Sequence, residues 1–441
     1  MTLAGRRNIT LEDALRDAEA RYVEANPKSR ARHAEACAAL PGGNTRSILF
    51  YPPFPVTIIR GQGARLWDLD GHEYVDFLGE YTAGLYGHSN PVIQAAVRDA
   101  LEGGIVLGGP NRYEAELARL ICARFPSCDL VRFCNSGTEA NVNALCAARA
   151  ITGRSRVLVF DGAYHGGPLT FAHGGSPMSL PFPWLIGAYN DLGTTLGAIE
   201  RHAHELAAII VEPMMGAAGA IAGEPEFLEG LREAAARHGI VLIFDEVMTS
   251  RLSPGGLQAK LGITPDLTTF GKYLGGGLSF GAFGGRADLM ARFDPRHPDA
   301  LPHSGTYNNN VLTMAAGVAG LSQVFTPEAA RALNEAGDAL RARLNRLARA
   351  TGAPVQVAGI GSIMCVHFHD RPIRRPADAG PSELSARALF HLEMLERGFY
   401  LARRGFISPS LALEPADYDA FAAAFEDFLD TYGSVLRNPA G

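Results

Sequence analysis

Five short runs of apolar and strand-favouring residues, separated by helix-length stretches, constrain the fold more than any other feature of this sequence. The runs lie at residues 130–134, 156–160, 208–212, 240–244 and 267–270. Runs of this length are typical of strands buried on both faces of a parallel sheet. Helices are predicted between them, for example over residues 139–151 and over 225–237, where Pro225 occupies a favourable first position. The alternation predicts an α/β fold in which a mainly parallel sheet is flanked by helices.

The two ends of the chain follow a different pattern. A helix is predicted over residues 10–25, where Thr10 and Asp13 resemble a capping box, and a β-meander over 56–77. Further elements are predicted near the C-terminus: helices at 327–350, 384–397 and 416–435, and strands within 355–368. We therefore divide the chain into an N-terminal helix and meander, a large domain and a C-terminal region, at residues 1–76, 77–322 and 323–441.

Two polar residues at predicted strand ends are candidates for catalysis. Asp245 closes the run at 240–244, and Lys272 follows the run at 267–270 in a segment crowded with glycine. Open α/β sheets place their chemistry at the carboxyl ends of strands, and glycine lets a backbone approach a ligand closely. An ordinary ion pair at the sheet edge is the alternative.

The rarity of lysine favours a covalent role for Lys272. Only three of the 40 Lys and Arg residues are lysines, namely Lys28, Lys260 and Lys272. Arginine cannot be deprotonated in a protein, whereas a lysine of lowered pKa can form an imine. Lys272 alone lies in an apolar, glycine-rich setting after a strand. Together with a buried aspartate it indicates pyridoxal phosphate (PLP), with the lysine holding the aldehyde and the acid keeping the pyridine nitrogen protonated.

Ser136, Gly137 and Thr138 are candidates for binding a phosphate. They join the run at 130–134 to a helix, and at that position free N–H groups and the helix dipole favour an anion. A common N-cap is the alternative interpretation. Thr306, in HSGTYNN, belongs to a second cluster of this kind and can equally cap the helix predicted at 310–323.

Two more strand ends carry candidate residues. Tyr164 and His165 lie in DGAYHGG, where either ring can stack on a planar cofactor, although packing is the commoner role of such an aromatic. Glu212 ends the run at 208–212, and its carboxylate can accept a hydrogen bond from a cofactor-site group or simply cap a turn.

Charge and composition narrow the partners that we expect. A net charge of −6 and a pI near 6.1 give no reason to expect a nucleic acid or an anionic membrane as a partner. The sequence has no 18-residue apolar span and no signal-peptide core at its N-terminus. Its six cysteines lack C-x-x-C spacing, which is typical of reduced thiols in a cytoplasmic protein.

Competing motifs are incomplete. The sequence around Gly271-Lys272 lacks the remainder of a P-loop, and no G-x-G-x-x-G follows a first strand. Pairs of histidines at 202/204 and 367/369 are candidates for a metal, but surface or packing positions are the commoner role of such pairs, so we expect no metal site.

Six short motifs, taken in their order along the chain, resemble those of a known enzyme family. NSGTEA, YHG, VEP, FDEV, GK and HSGT occur in this order along about residues 40–320 and resemble the class III (fold type I) PLP-dependent aminotransferases. The resemblance implies a large PLP-binding domain, a small α+β domain made of both chain ends, and a homodimer whose active sites lie at the interface.

The resemblance also implies roles for individual residues. Lys272 would carry PLP, Asp245 would hold the pyridine nitrogen and Tyr164 would stack on the ring. The phosphate would be bound by residues 136–138, with Thr306 reaching in from the other subunit. The full set of expected cofactor-site residues is Ser136, Gly137, Thr138, Tyr164, His165, Glu212, Asp245, Val247, Met248, Lys272 and Thr306.

Within the class, the chain is most similar to β-amino-acid aminotransferases that act on β-phenylalanine. The segments that carry this similarity are GGNTRSILFY, EYTAGLYGHS, FDEVMTSRL, GKYLGGGLSFGAFGGRAD, HSGTYNNN and RRGF. The chain is also similar to glutamate-1-semialdehyde aminomutase, although its PGGNTRSILFY departs from the aminomutase pattern PGGVNSPVRAF. The expected reaction moves the amino group of an aromatic β-amino acid to 2-oxoglutarate or pyruvate and leaves a β-keto acid. The aminomutase and another ω-aminotransferase are the alternatives.

Two arginines are predicted to bind the substrate carboxylates. The carboxylate of a β-amino acid lies one carbon further from the reacting carbon than that of a 2-oxo acid, so one fixed arginine does not suit both. We expect Arg46 to bind the β-amino acid and Arg404 mainly the 2-oxo acid, with Tyr81 beside them. If residues 403 and 404 end a strand, their side chains point to opposite sides, and the resemblance favours Arg404. A surface position is the alternative for each arginine.

Other classes of function stay open. A PLP racemase or decarboxylase would use the same cofactor residues, and its products would distinguish it. A NAD(P)-dependent dehydrogenase would need the missing dinucleotide fingerprint. A non-catalytic binding protein on this fold would have no need of both Asp245 and Lys272.

Overall fold

A computed structural model of the chain describes residues 10–378 and 383–437. Helices occupy the following ranges: α1 Leu11–Ala25, α2 Pro27–Cys37, α3 Pro91–Glu102, α4 Arg112–Arg124, α5 Gly137–Thr152, α6 Leu192–His202, α7 Pro225–His238, α8 Gly256–Leu261, α9 Ala287–Met290, α10 Val311–Ala319, α11 Pro327–Thr351, α12 Glu383–Glu396 and α13 Pro415–Arg437. Strands occupy these ranges: β1 Ile58–Gln62, β2 Arg65–Asp68, β3 Glu73–Asp76, β4 Leu130–Cys134, β5 Arg156–Phe160, β6 Trp184–Gly187, β7 Leu206–Val211, β8 Met214–Met215, β9 Ile221–Ala222, β10 Val241–Asp245, β11 Leu267–Gly271, β12 Gly281–Gly285, β13 Gln356–Ile360, β14 Ile363–His367, β15 Phe399–Tyr400 and β16 Phe406–Ile407.

The main sheet of the described chain has seven strands in the order β4-β12-β11-β10-β7-β5-β6. Strand β12 runs antiparallel to both of its neighbours, and the remaining pairs, from β11 through to β6, are parallel. Strands β7, β10 and β11 are buried along their whole length, as the apolar runs predict. The mainly parallel α/β sheet flanked by helices is therefore confirmed.

Local sequence explains where the helices next to the sheet begin and end. The side chain of Ser136 caps α5 by accepting a hydrogen bond from the amide of Glu139, and Gly153 ends that helix in a left-handed conformation. Pro225 is at the start of α7, as predicted, and Gly239 ends it. These stops return the chain to the sheet, so that β5 and β10 each follow a helix closely.

Strands β6 and β12 were not predicted. Strand β12 reads GAFGG, and its glycines replace the branched residues by which a strand is ordinarily recognised. Glycine is required here because a Cβ on Gly281 would overlap the backbone of Ser136. The strand thus lets the start of α5 lie directly against the sheet.

The two ends of the chain pack against each other. Strands β1, β2 and β3 form the predicted meander, and β15 adds to β3 in parallel. Side chains of α1, α12 and α13 share one apolar core with this sheet, including Tyr22, Leu389, Phe421 and Phe425. A second small sheet, β13-β14-β16, lies in the C-terminal part. The division of the chain at residues 76/77 and 322/323 stays a prediction.

Two kinds of feature are absent from the described residues. None of their helices is long and apolar enough to cross a membrane. Within the same residues, no three His, Cys, Asp or Glu side chains are grouped so that they could hold a metal ion.

Candidate active site

Asp245 and Lys272 lie at the carboxyl ends of neighbouring strands. Asp245 is the last residue of β10 and pairs in register with Thr269 of β11, and Lys272 comes directly after β11. Lys272 opens a short 3₁₀ turn with a φ of 56°, a left-handed conformation that non-glycine residues adopt rarely. Such strain persists only where the surroundings fix it, and it is commonest at functional sites.

A network of hydrogen bonds fixes the Asp245 carboxylate. One oxygen, Oδ2, accepts from the amide nitrogen of Asn141 at 2.8 Å and lies 2.7 Å from Nδ1 of His165. The other, Oδ1, accepts from the backbone N–H of Val247 at 3.0 Å. A carboxylate only accepts hydrogen bonds, so His165 carries its proton on Nδ1. The buried side chain of Asp245 is thus held in one orientation by these hydrogen bonds.

The same network reaches the next strand. The hydroxyl of Thr269 donates to the side-chain oxygen of Asn141 at 2.6 Å, and the Asn141 nitrogen also donates to the backbone oxygen of His165. Asn141 therefore joins α5, the loop after β5 and the ends of β10 and β11. Sequence reasoning missed this residue. Its only signal is an amide on the face of α5 that is otherwise buried through Ala140, Ala144 and Leu145.

The environment of Lys272 favours the neutral amine. Burial lowers its pKa from 10.5 to about 8, and the positive charges of Arg46 and Arg404 act in the same direction. The carboxylates of Glu80 and Asp245 oppose this shift. A lysine with this pKa is a nucleophile and a base near neutral pH.

The beginning of α5 forms a cradle for an anion. The N–H groups of Gly137 and Thr138, in its first turn, have no partner within the helix, and the positive end of the helix dipole lies there. A Cβ on Gly137 would lie 2.7 Å from Val247, and a Cβ on Gly166 would overlap the side chain of Thr138. Neighbouring backbones therefore approach this helix end as closely as glycine permits.

Tyr164 and Glu212, two further predicted site residues, differ in exposure: Tyr164 is accessible to solvent and Glu212 is buried. Tyr164 is 47% exposed, so this residue is accessible to a ligand. Glu212 is buried and accepts hydrogen bonds at 3.0 Å from the backbone N–H groups of Tyr164 and Gly216. Its carboxylate therefore caps a turn, which is the alternative role that the sequence left open. Burial raises its pKa to about 7, and the nearby Asp245 contributes to the increase. The sulfur of Met248 packs on Gly216 and closes this side.

The guanidinium groups of the two predicted arginines both lie next to the ring of Tyr81. The guanidinium carbon of Arg46 lies 5.8 Å from the ring centre of Tyr81, and that of Arg404 lies 5.0 Å from it. Arg404 also contacts the ring of Phe406 and donates to the backbone oxygen of Ala217 at 3.3 Å. The charges of both arginines also lower the pKa of Lys272, so the two guanidinium groups are within electrostatic range of its amine.

A left-handed turn positions Tyr81 and brings in an acid that sequence reasoning missed. Residues Gly79, Glu80, Tyr81 and Thr82 all have positive φ. Glu80 forms an ion pair with Arg46. No local sequence signal identifies this turn, because three of its four residues are not glycine.

Thr306 is exposed and lies in the loop before α10. Nearby, Asn308 accepts a hydrogen bond at 3.0 Å from the side chain of Asn135, which is next to the cap of α5. A contact between Thr306 and a second subunit stays a prediction.

Comparisons with known proteins agree on one family. The family model of the class III aminotransferases matches residues 50–429. The chain is 54% identical over 429 residues to the beta-phenylalanine transaminase of Variovorax paradoxus, which covers 97% of this chain and 99% of the relative. A crystal structure of a beta-phenylalanine aminotransferase from that organism has a TM-score of 0.95 at 54% identity, over 96% of this chain and 99% of the other.

Two further matches are more distant. The glutamate-1-semialdehyde 2,1-aminomutase of Heliobacterium modesticaldum is 36% identical over 420 residues, which cover 91% of this chain and 96% of the relative. A solved structure of a transaminase with PLP bound has a TM-score of 0.86 at 32% identity, over 94% of this chain and 99% of the other.

Proposed function

Since the chain belongs to the class III aminotransferase family, we propose that it moves the amino group of an aromatic β-amino acid to a 2-oxo acid with PLP as cofactor. The 54% identity to a beta-phenylalanine transaminase supports the β-amino acid as donor. Arg46 and Arg404 carry the proposal, because two guanidinium groups on one tyrosine suit two substrates with carboxylates at different distances. The products are a β-keto acid and the α-amino acid made from 2-oxoglutarate or pyruvate.

The residues of the site fit PLP in charge and in shape. The cradle at Ser136, Gly137 and Thr138 suits the phosphate, because free amides and a helix dipole favour a dianion. Asp245 offers a fixed carboxylate to the pyridine nitrogen, and Lys272 offers an amine of lowered pKa to the aldehyde carbon. Tyr164 is an accessible aromatic residue that suits stacking on the pyridine ring.

Each residue then has a definite task. PLP, when bound, supplies a ring that takes up the electron pair of the broken C–H bond. Asp245 keeps a proton on the ring nitrogen, while Asn141 and His165 prevent its carboxylate from turning away. The Nζ of Lys272, once displaced by the substrate amine, accepts the proton from the amine-bearing carbon and delivers it to the cofactor side.

The two arginines divide the substrates. Arg46 binds the carboxylate of the β-amino acid, one carbon beyond the reacting centre. Arg404 binds the carboxylate of the 2-oxo acid. In the half-reaction with the donor, the aromatic group of the β-amino acid occupies the side of the site that this carboxylate uses. Phe406 and the ring of Tyr81, against which Arg404 packs, supply the apolar surface for that group.

A homodimer completes the site in this proposal. Thr306 is exposed, and the loop after α3 carries three further exposed apolar residues, Ile105, Val106 and Leu107, of which Val106 is 78% exposed. Contiguous apolar surface of this kind is typical of an interface. We propose that a second subunit covers this surface and, as the family resemblance implies, that Thr306 reaches the partner's phosphate cradle.

The test is a panel of amino donors with the purified holoenzyme. β-Phenylalanine with 2-oxoglutarate or pyruvate should give one equivalent each of β-keto acid and new α-amino acid. Loss of the donor carboxylate as CO₂, or inversion without transfer of nitrogen, would instead indicate a decarboxylase or a racemase. Conversion of glutamate-1-semialdehyde in preference to every β-amino acid would replace this function with that of the aminomutase.

A further inference from the structure

Arg46 already has a carboxylate partner from its own chain. Glu80 forms an ion pair with it, and the two side chains are 44% and 50% exposed. We infer that Glu80 is a specificity-determining residue that competes with the substrate carboxylate for Arg46. The inference rests on the proposed function to the extent that Arg46 binds the carboxylate of the donor.

The backbone holds Glu80 in this position. The residues from Gly79 to Thr82 have φ values of 52°, 44°, 52° and 81°, which is an unusual run of left-handed backbone. Below the turn, Oδ1 of Asp76 accepts from the N–H groups of Leu78 and Gly79 at 2.8 and 3.0 Å. Glu80 is thus presented by a constrained turn and not by a freely moving loop.

Packing above the turn adds to this constraint. The ring of Tyr81 stacks on Phe406 with centres 5.8 Å apart, and the buried Thr82 follows it into the core. A Cβ on Gly79 would lie 2.5 Å from the backbone oxygen of Ser408, so the turn is also pressed against the C-terminal part of the chain. The backbone position of Glu80 is therefore set before any substrate arrives, whereas its side chain is half exposed and can move away from Arg46.

Glu80 and Arg46 are both within electrostatic range of the amine of Lys272. The negative charge of Glu80 raises the pKa of Lys272, and the positive charge of Arg46 lowers it. If Arg46 binds the donor carboxylate, as in the proposed function, that carboxylate meets an arginine that is already paired with Glu80. Because the pair is half exposed, its net strength is modest and a substrate carboxylate can replace Glu80.

This competition selects among donors. A β-amino acid exchanges one carboxylate for another and keeps the charge of Arg46 balanced. A second negative charge on the donor, close to the reacting carbon, would meet the displaced Glu80 and be repelled. The substrate class that follows is a β-amino acid with a single carboxylate and an uncharged side chain.

The experiment measures binding of 3-phenylpropanoate to the holoenzyme by calorimetry. This ligand has the carboxylate and the ring of the donor but no amine. Glu80→Gln should bind it about two- to fivefold more tightly, the factor that a half-exposed ion pair corresponds to. The neutral 3-phenylpropanamide should bind equally to both proteins. Glu233→Gln, at an exposed glutamate of α7, is the matched control and should change neither affinity.

Two further variants separate charge from folding. Glu80→Asn also removes the charge, and asparagine tolerates left-handed backbone, so it should reproduce the effect of Glu80→Gln. In an Arg46→Ala background, Glu80→Gln should have no effect on 3-phenylpropanoate. Unchanged or weaker binding in both Glu80 variants, or an equal gain in the Arg46→Ala background, overturns the inference.

Turnover is measured separately, so that the two failures can be distinguished. If the wild-type protein does not transaminate β-phenylalanine but Glu80→Gln still tightens 3-phenylpropanoate, the proposed function fails and the competition at Arg46 stands. If the wild-type protein transaminates β-phenylalanine and neither Glu80 variant changes the binding, only the inference fails.

Discussion

Lys272 should react as a neutral amine at a pH where ordinary lysines are protonated. Its pKa of about 8, in place of 10.5, leaves about 10% of the amine neutral at pH 7. An unperturbed lysine would be about 0.03% neutral, so the gain in reactive amine is roughly 300-fold. The rate at which the cofactor-free protein captures PLP should therefore rise with pH and reach half its maximum near pH 8.

Two substitutions should move this profile in opposite directions. Arg46→Ala removes a positive charge that lowers the pKa of Lys272, so the half-maximum should move to higher pH. Glu80→Gln removes a negative charge that raises it, so the half-maximum should move to lower pH. Each shift should be roughly 0.3–1 pH unit, the size expected for a partly hydrated charge facing the amine.

The assay follows the visible absorbance that appears when PLP joins the protein. Rates are divided by those of a free alkylamine in the same buffers, calculated per neutral alkylamine, which removes the ionisation of PLP itself and keeps that of Lys272. Lys272→Ala should give no band, and Lys260→Ala should behave as wild type. A half-maximum near pH 10, or a shift of the same sign in Arg46→Ala and Glu80→Gln, would refute the electrostatic account of Lys272.

Three other outcomes are expected. Asp245→Asn removes the charge opposite the pyridine nitrogen and should lower kcat by about two or more orders of magnitude; a kcat within about tenfold of wild type would exclude this role. Gly166→Ala adds a Cβ that overlaps Thr138, at a backbone φ of 122° that alanine rarely adopts. It should lower the free energy of unfolding by about 1–3 kcal/mol and weaken the retention of PLP. The control Gly167→Ala, whose Cβ meets nothing within 4 Å, should do neither. Arg46→Ala should slow the half-reaction with the β-amino acid, and Arg404→Ala the return half-reaction with 2-oxoglutarate, each by about 10- to 150-fold. Equal, small losses in both halves for both variants would leave substrate choice to the shape of the pocket.

The sequence predicted the elements whose residues follow strong local rules. Strands β4, β5, β10 and β11 are short runs of apolar and strand-favouring residues, and α5 and α7 begin with residues that favour helix starts. The pairing of Asp245 with the strand that precedes Lys272 also follows, because parallel strands end at one edge of a sheet. Motif order then predicted the family, which the comparisons confirm.

Contacts between distant parts of the chain could not be predicted in this way. Strand β12 is rich in glycine because the start of α5 lies directly against it. This requirement is visible only in the three-dimensional structure. Asn141 reads as one polar residue of a helix until its contacts with Asp245 and Thr269 are known. Glu80 reaches Arg46 through a turn with no glycine at three of its four positions, so nothing in the local sequence indicates it.

The half-reaction of the holoenzyme with β-phenylalanine tests the central claim most directly. On rapid mixing without a 2-oxo acid, the visible band of the bound cofactor should be lost in a single turnover, with one β-keto acid released per site, and 2-oxoglutarate or pyruvate should restore it. Lys272→Ala should show neither change. A band that β-phenylalanine leaves intact, while α-amino acids or glutamate-1-semialdehyde remove it, would contradict transfer from a β-amino acid.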